Sequence, residues 1–342
     1  MKRAILWVAF AAAMAAQPVR DALEGFDPVL LVQGREEFGK QELSSTYEAF
    51  RYVFASPENK AAFDAQPSRY AIQLGGACAR MGPPVGAGAD QYFVHEGRIY
   101  VFGSGDCYKM FSKEPARYLE PPPAPFPAVT PGASTLARSR IERAVIALGG
   151  AASLDSMTSF EERRIRRIGE REIRERDLVA LPNRIRQESI FDGRVFGFVT
   201  TPTTDFQVTP RGTELFTPYV AREVRRQSLR HPLIILRARN ERGFRAAPRE
   251  PDAVEVDWEG VRATLEFDPA SGRLASLSYV DRGPNGAYGE VRRLYSDVRQ
   301  VGNLKLPHRV TVHFNGAPAE RLGRELESIS VNVPIDPALF RP

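Results

Sequence analysis

The chain is poor in the residues that announce chemistry. In 342 residues it has two cysteines, Cys78 and Cys107, and four histidines, His95, His231, His308 and His313. Neither set shows zinc-finger spacing. His308 and His313 are five apart on an expected strand and so point to opposite faces. No Gly-x-Ser-x-Gly elbow, phosphate-binding loop or His-Glu-x-x-His occurs, and Gly103-Ser104-Gly105 reads as a turn. No catalytic residue, metal ligand or cofactor follows from the sequence. Lysine is also scarce: six residues, five of them before residue 121, against 41 arginines.

Long apolar runs are missing as well. Ala4 to Ala13 is apolar but too short to span a bilayer. It follows Met1-Lys2-Arg3 and precedes the small residues Ala13, Ala15 and Ala16, the pattern of a secretory signal peptide over residues 1–16. The other reading is an uncleaved amphipathic helix. No cysteine follows the small residues, which argues against a lipid anchor there. Export to a periplasm or beyond is expected, with no transmembrane span after cleavage.

What the chain does have is enough apolar material for globular folding, 43% hydrophobic residues, and length for two domains. Pro121-Pro122-Pro123 and Pro125 put four prolines in five residues, which suits an extended spacer and no helix or central strand. We expect a linker over residues 121–135, between domains at 22–120 and 136–342 that touch lightly. Residues 17–124 carry 11 Lys and Arg against 14 Asp and Glu, and residues 125–342 carry 34 against 28. The basic excess is interspersed with acid, as on a solvated surface. No basic stripe is interleaved with stacking aromatics, so nucleic acid is not an expected partner.

Export makes the cysteines a candidate disulfide, Cys78 to Cys107, closing 28 intervening residues. Such a loop would contribute roughly 3–4 kcal/mol in the chain-entropy model. A two-thiolate metal site or two free thiols are the alternatives. Around them, residues 43–55 read as a hairpin turning near Glu48-Ala49, Ser56-Pro57 as a helix start, and residues 92–102 as a second hairpin. A short helix over Lys109–Tyr118, broken by Pro115, closes the module.

Phe26-Asp27-Pro28-Val29, Tyr52-x-Phe54-x-Ser56, Phe63-x-x-x-Pro67-x-x-Tyr70, Leu74-Gly75-Gly76-Ala77-Cys78-Ala79 and Lys113-Glu114-Pro115-x-x-Tyr118 together resemble the exported branch of YHS domains. The resemblance implies a small α+β fold and, in metal-handling relatives, metal bound through cysteines. Leu30 and Ala55 stand where those relatives carry cysteine. Thiolates hold soft metals and these side chains cannot.

Beyond the linker, Leu136, Ile141, Ala144, Val145 and Leu148 recur at helical spacing, and Gly149-Gly150 ends the helix. Phe160–Asp177 favours helix by propensity but lacks a 3.6 period, so long strands with charged outer faces are expected. A helix from Thr217 to Arg230, ended by Pro232, interrupts a series of about ten strands running to Val331. Tyr295-Ser-Asp-Val-Arg-x-Val-Gly-Asn-Leu-Lys-Leu-Pro307, with Val331-Asn332-Val333-Pro334-Ile-Asp336-x-x-x-Phe340, resembles the ending of exported LolA-like proteins, as does Arg140-Ile141 through Gly150. That resemblance implies an incomplete β-barrel covered by helices, whose concave apolar face carries lipoprotein acyl chains in some members. The expected fold is α+β: a small α+β module followed by a curved antiparallel sheet. The expected function is non-enzymatic binding of a hydrophobic or lipid-like ligand in the half-barrel. Metal handling by the first module, or gripping an envelope protein partner, are the alternatives. The barrel could equally be filled by its own side chains.

Overall fold

A computed structural model describes residues 19–83, 88–168 and 170–342. The signal sequence expected over residues 1–16 lies outside them. In the first module, β1 (Arg20–Asp21) precedes α1 (Pro28–Leu31), β2 (Lys40–Tyr47) and β3 (Phe50–Phe54). β3 is the middle of a three-stranded sheet, parallel to β1 and antiparallel to β2. Helices α2 (Pro57–Ala65) and α3 (Pro67–Tyr70) follow, then the hairpin β4 (Gly88–His95) and β5 (Arg98–Phe102), then α4 (Gly105–Lys113).

Local chemistry accounts for these boundaries. Ser56 Oγ accepts from Asn59 N at 3.3 Å, and Pro57 occupies the first turn, where its missing N–H costs nothing. Asp27 is fully buried and does two jobs. Its Oδ1 accepts from Val29 N at 2.8 Å and so caps α1. Its Oδ2 accepts from Ala55 N and from Asn59 Nδ2, each at 2.7 Å, tying α1 to β3 and α2. The Asp-Pro-Val signature is thus a structural joint. Tyr52, Phe54 and Phe63 stack into the core beneath it.

The second module opens with α5 (Pro131–Leu148), five residues before the expected start at 136. Thr130 Oγ1 caps it by accepting from Ala133 N at 3.3 Å, and Pro131 takes the first helical position. The extended spacer therefore shortens to residues 121–130. Gly149 ends α5 at φ 140°, where a Cβ would overlap the carbonyl of Asn303.

After α6 (Ala151–Asp155) come β6 (Ser159–Ile168), β7 (Arg171–Ala180), β8 (Arg184–Phe191), β9 (Arg194–Thr200), β10 (Asp205–Thr209) and β11 (Gly212–Leu215). Helices α7 (Pro218–Leu229) and α8 (Pro232–Arg237) intervene. Then β12 (Arg245–Arg249), β13 (Ala253–Trp258), β14 (Val261–Phe267), β15 (Leu274–Arg282), β16 (Tyr288–Val301), β17 (Leu304–Phe314), β18 (Ala317–Pro318) and β19 (Arg324–Val331) complete the chain. As expected, α7 ends before Pro232, at Leu229, but Pro232 also begins a further helix, α8. His231 caps it through Nδ1, which accepts from Leu233 N at 3.3 Å, and the buried run Leu233–Leu236 drives it onto the sheet.

The strands form one fourteen-stranded sheet in the order β11-β10-β9-β8-β7-β6-β19-β17-β16-β15-β14-β13-β12, with β18 appended to β17. It is antiparallel, curved and not closed into a barrel, which gives the α+β class and the half-barrel architecture. The count exceeds the ten strands expected because β11, β12 and β18 are too short or too polar to stand out as period-two runs. The main core lies between one half of this sheet and helices α5, α6 and α8. Ile141, Val145, Leu154, Ile235, Val254, Leu265 and Leu277 are its centre, each at most 2% exposed.

The two modules do not touch lightly. Thr217 Oγ1 donates to Gly75 O at 3.1 Å in a buried contact. Ala77 packs with Val220 and Val224 of α7, and Ala287 joins the cluster around Cys78 and Phe111. Arg282 donates to the carbonyls of Ala79, Arg80 and Gly286 at 3.1, 2.8 and 3.2 Å. Arg226 pairs with Glu120 beside the proline-rich stretch.

Gly75 sits at φ 58°, and a Cβ there would overlap the Thr217 hydroxyl. Gly75→Ala should therefore destabilise the full chain by roughly 1–3 kcal/mol, read by chemical denaturation. It should also speed protease cleavage within residues 121–130. Unchanged stability and cleavage in the variant would contradict a tight interface.

Candidate functional site: the concave face of the half-barrel

Helices α5 and α8 cover only part of the concave face. Between the uncovered part, α7 and α8 lies a cavity of about 560 Å³. Ligand pockets commonly span roughly 300–1,000 Å³. Strand alternation decides its lining. On β15, β16 and β17 the inward positions bring apolar side chains, among them Val291, Leu306, Val310 and Val312. Leu233 and Leu236 of α8 and Ile329 of β19 extend this apolar wall. Met81 and Pro83 reach the cavity from the first module, so its wall is built by both.

The opposite wall is charged. On β6 and β7 the inward positions are Glu162, Arg164, Arg166, Glu175 and Asp177. Register places Arg164 across from Glu175 and Glu162 across from Asp177. Arg164 is the hub. It pairs with Asp177, with Glu162 at 3.4 Å and with Glu175 at 3.8 Å. Arg166 meets Glu175 at 3.0 Å, and His231 Nε2 lies 2.9 Å from Glu162 Oε1. Burial works against the Arg164 charge, and Asp177, Glu162 and Glu175 outweigh it, holding the guanidinium firmly protonated.

These residues correct the expectation of charged outer faces. In the segment from Phe160 to Ile168, Arg163 and Arg167 do face outward, with side chains 57% and 60% exposed. Glu162, Arg164 and Arg166 alternate with them and face in. Both faces of the strand carry charge, which is why no amphipathic period is visible.

A third group sits on β15 and β16. Arg230, next to the end of α7, is buried and pairs with Asp281 while lying 4.2 Å from the centre of the Tyr279 ring. Arg293 lies 5.4 Å from the same ring centre. The Tyr295 hydroxyl is buried with its own O–H donor unused among the described residues, and burial pushes its pKa up, while the charge of the adjacent Arg293 and its approach to the hydroxyl oppose that. None of these was singled out from sequence. An arginine at an otherwise apolar alternate position of a strand, as in Val291-x-Arg293-x-Tyr295, is the signal that could have pointed there.

Cys78 and Cys107 are brought together in one buried cluster with Phe102, Phe111 and Tyr118, but as free thiols rather than the expected disulfide. Cys107 occupies the first turn of α4, where its backbone N–H donates to Ser104 Oγ at 3.2 Å. Arg80 Nη1 lies 3.8 Å from its sulfur. Burial pushes the Cys107 thiol up, while hydrogen bonds from Ser104, Arg80 and Cys78 and the Arg80 charge outweigh it, leaving the pKa below the ordinary thiol value. Among the described residues no group of three or more His, Cys, Asp or Glu is arranged to hold a metal ion. Leu30 is buried against the core and Ala55 N is bonded to Asp27, so neither position offers a ligand.

No family model matches the chain, and no curated protein matches it. Among solved structures it is similar to a putative outer membrane lipoprotein-sorting protein domain from Vibrio parahaemolyticus, with 12% identity and a TM-score of 0.34. It is also similar to a LolA superfamily protein from Nitrosomonas europaea, with 13% identity and a TM-score of 0.37. Each alignment covers 60% of this chain and 97% of the other.

Two outcomes are expected from this geometry. Asp177→Asn should lower stability by about 3 kcal/mol, the lower end for breaking a buried pair, because Glu162 and Glu175 still face Arg164. Arg163→Ala on the outer face should cost less than about 0.5 kcal/mol; equal losses in urea melts would contradict the inward hub. Cys107 should alkylate at lower pH than a free cysteine, and Arg80→Gln should move that midpoint up. An alkylation midpoint equal to that of a free cysteine, or one that Arg80→Gln leaves unmoved, would contradict this.

Proposed function

We propose that this chain is an exported, non-enzymatic binding protein whose half-barrel holds a hydrophobic or lipid-like ligand. The observation that carries the reading is the cavity itself: an uncovered stretch of concave sheet whose β16–β17 wall is apolar and whose space its own side chains leave open. An apolar wall of this kind gains by removing a guest from water, at about 25 cal/mol per Å² of apolar surface buried. The reading agrees with what the LolA-like ending of the sequence implies. Periplasmic residence belongs to the same proposal. Among the described residues no helix is long and apolar enough to cross a membrane.

The charged wall fits a binding role better than a catalytic one. Its acids and bases neutralise one another around Arg164, which fixes their positions and leaves no unpaired nucleophile beside a general base.

Native mass spectrometry of full-length protein purified from a host that exports it should show a retained apolar small molecule, recoverable by solvent extraction. Val310→Trp, which places a ring in the cavity, should reduce that occupancy more than about tenfold while the fold persists. Protein that is always empty and never takes up an added lipid, with Val310→Trp indistinguishable from the parent, would refute the proposal.

A further inference from the structure

Arg293 is an inward side chain on the apolar wall that does not belong there by solubility. In the sheet register it stands opposite Leu277 on β15 and Val312 on β17, which are 0% and 5% exposed. Directly opposed residues of antiparallel strands share a face. Val291 and Tyr295, two positions away on either side, share it too and also line the cavity. A guanidinium therefore projects from a surface otherwise committed to apolar packing.

The other buried or half-buried arginines of the cavity have acceptors. Arg164 has Asp177, Arg166 has Glu175, Arg230 has Asp281, and Arg282 has three backbone carbonyls. Among the described residues no ion pair reaches Arg293. It is supported by the face of the Tyr279 ring, which it shares with Arg230, and by the neighbouring Tyr295 hydroxyl. Burial works against its charge, Tyr279 and Tyr295 and more weakly Asp281 support it, and Arg164 opposes it. Beside it, the Tyr295 hydroxyl is buried with its own donor unused. A desolvated cation without an anion is unfavourable, and a buried hydroxyl with its donor unused adds to that. One bound anion would satisfy both.

We propose that the cavity takes an amphiphile with one apolar chain and an anionic headgroup, a carboxylate or a phosphate, seated on Arg293 and Tyr295. This inference rests on the binding role proposed above and adds the headgroup chemistry. The apolar chain lies along Val310, Val312 and Leu306. The headgroup accepts hydrogen bonds from the guanidinium, which can present two parallel N–H donors to a carboxylate or phosphate. The acids of the β6–β7 wall are already paired with Arg164 and Arg166, so they do not repel it as free charges would.

The test uses delipidated full-length protein and three probes of matched chain length: palmitic acid, 1-palmitoyl lysophosphatidic acid and hexadecanol. Binding is measured by native mass spectrometry and equilibrium dialysis. At least one acid should bind ten or more times tighter than hexadecanol, and which one does so separates a carboxylate ligand from a phosphate ligand. Arg293→Met should erase that preference while hexadecanol still binds, which also reports that the cavity is intact. Arg293→Lys should keep part of it. If hexadecanol matches both acids, or Arg293→Met leaves the preference unchanged, the headgroup assignment is wrong while the binding role stands. If none of the three binds, the binding role falls and the headgroup assignment falls with it.

Discussion

A guanidinium in a low-dielectric pocket is costly unless matched by anions, and Arg164 imposes that requirement on the β6–β7 wall of the concave face. Its three carboxylates come from two adjacent strands, β6 and β7, in a register that puts each within reach. A slip of one residue would turn Glu162, Arg164 and Arg166 outward together and bring Arg163 and Arg167 in. The charged cluster therefore fixes register where neither face of the strands is apolar enough to do so. Replacing such a cluster with apolar residues is often neutral or stabilising. Its retention here fits a wall that must stay polar and immobile, and so stay open.

The sheet is consequently used in two ways. From β12 to β15 most of its inner face is covered by α5, α6 and α8 in an ordinary core, and this half supplies stability. Toward β6–β9 the charged positions cannot be covered by the same apolar helices without stranding their charges. Helix α7 lies over this side with mixed groups: Val220 and Val224 cluster with Phe198 of β9, and Ser228 Oγ meets Gln187 Oε1 at 3.2 Å. The cavity is the seam between the sealed and the charged halves. The first module closes one end of it through Met81 and Pro83, and Arg282 anchors that segment by its carbonyls. Placement of the first module against the second is thus part of the cavity's construction, which a spacer between separate units would not require.

Much of the architecture was legible in the sequence because local signals agreed with it. Ser56-Pro57, the Glu48-Ala49 turn, the His95-Glu96-Gly97 turn and Gly149-Gly150 each mark a boundary seen in the structure, and each works through a cap or a positive φ. The start of α5 and the presence of α8 escaped the sequence for one reason. Proline at a first helical turn looks the same in sequence as proline that ends a helix, and the packing of Leu233–Leu236 decides between them. The site was mostly illegible. Arg164 and Arg293 sit among many arginines, and what distinguishes them is the partner across the sheet: three carboxylates for one, Leu277 and Val312 for the other. Strand pairing at such distances along the chain is tertiary information. The disulfide expected between Cys78 and Cys107 is absent, because bonding state depends on sulfur geometry that spacing does not encode.

The central claim is that the seam between the two halves of the sheet is a binding cavity. A crystal structure of the full-length protein, purified from the exporting host without delipidation, tests it most directly. The account predicts continuous elongated density along Val310 and Val312, ending in a headgroup within hydrogen-bonding distance of Arg293. A seam closed by its own side chains, with Arg293 turned onto a carboxylate of the protein, would contradict it.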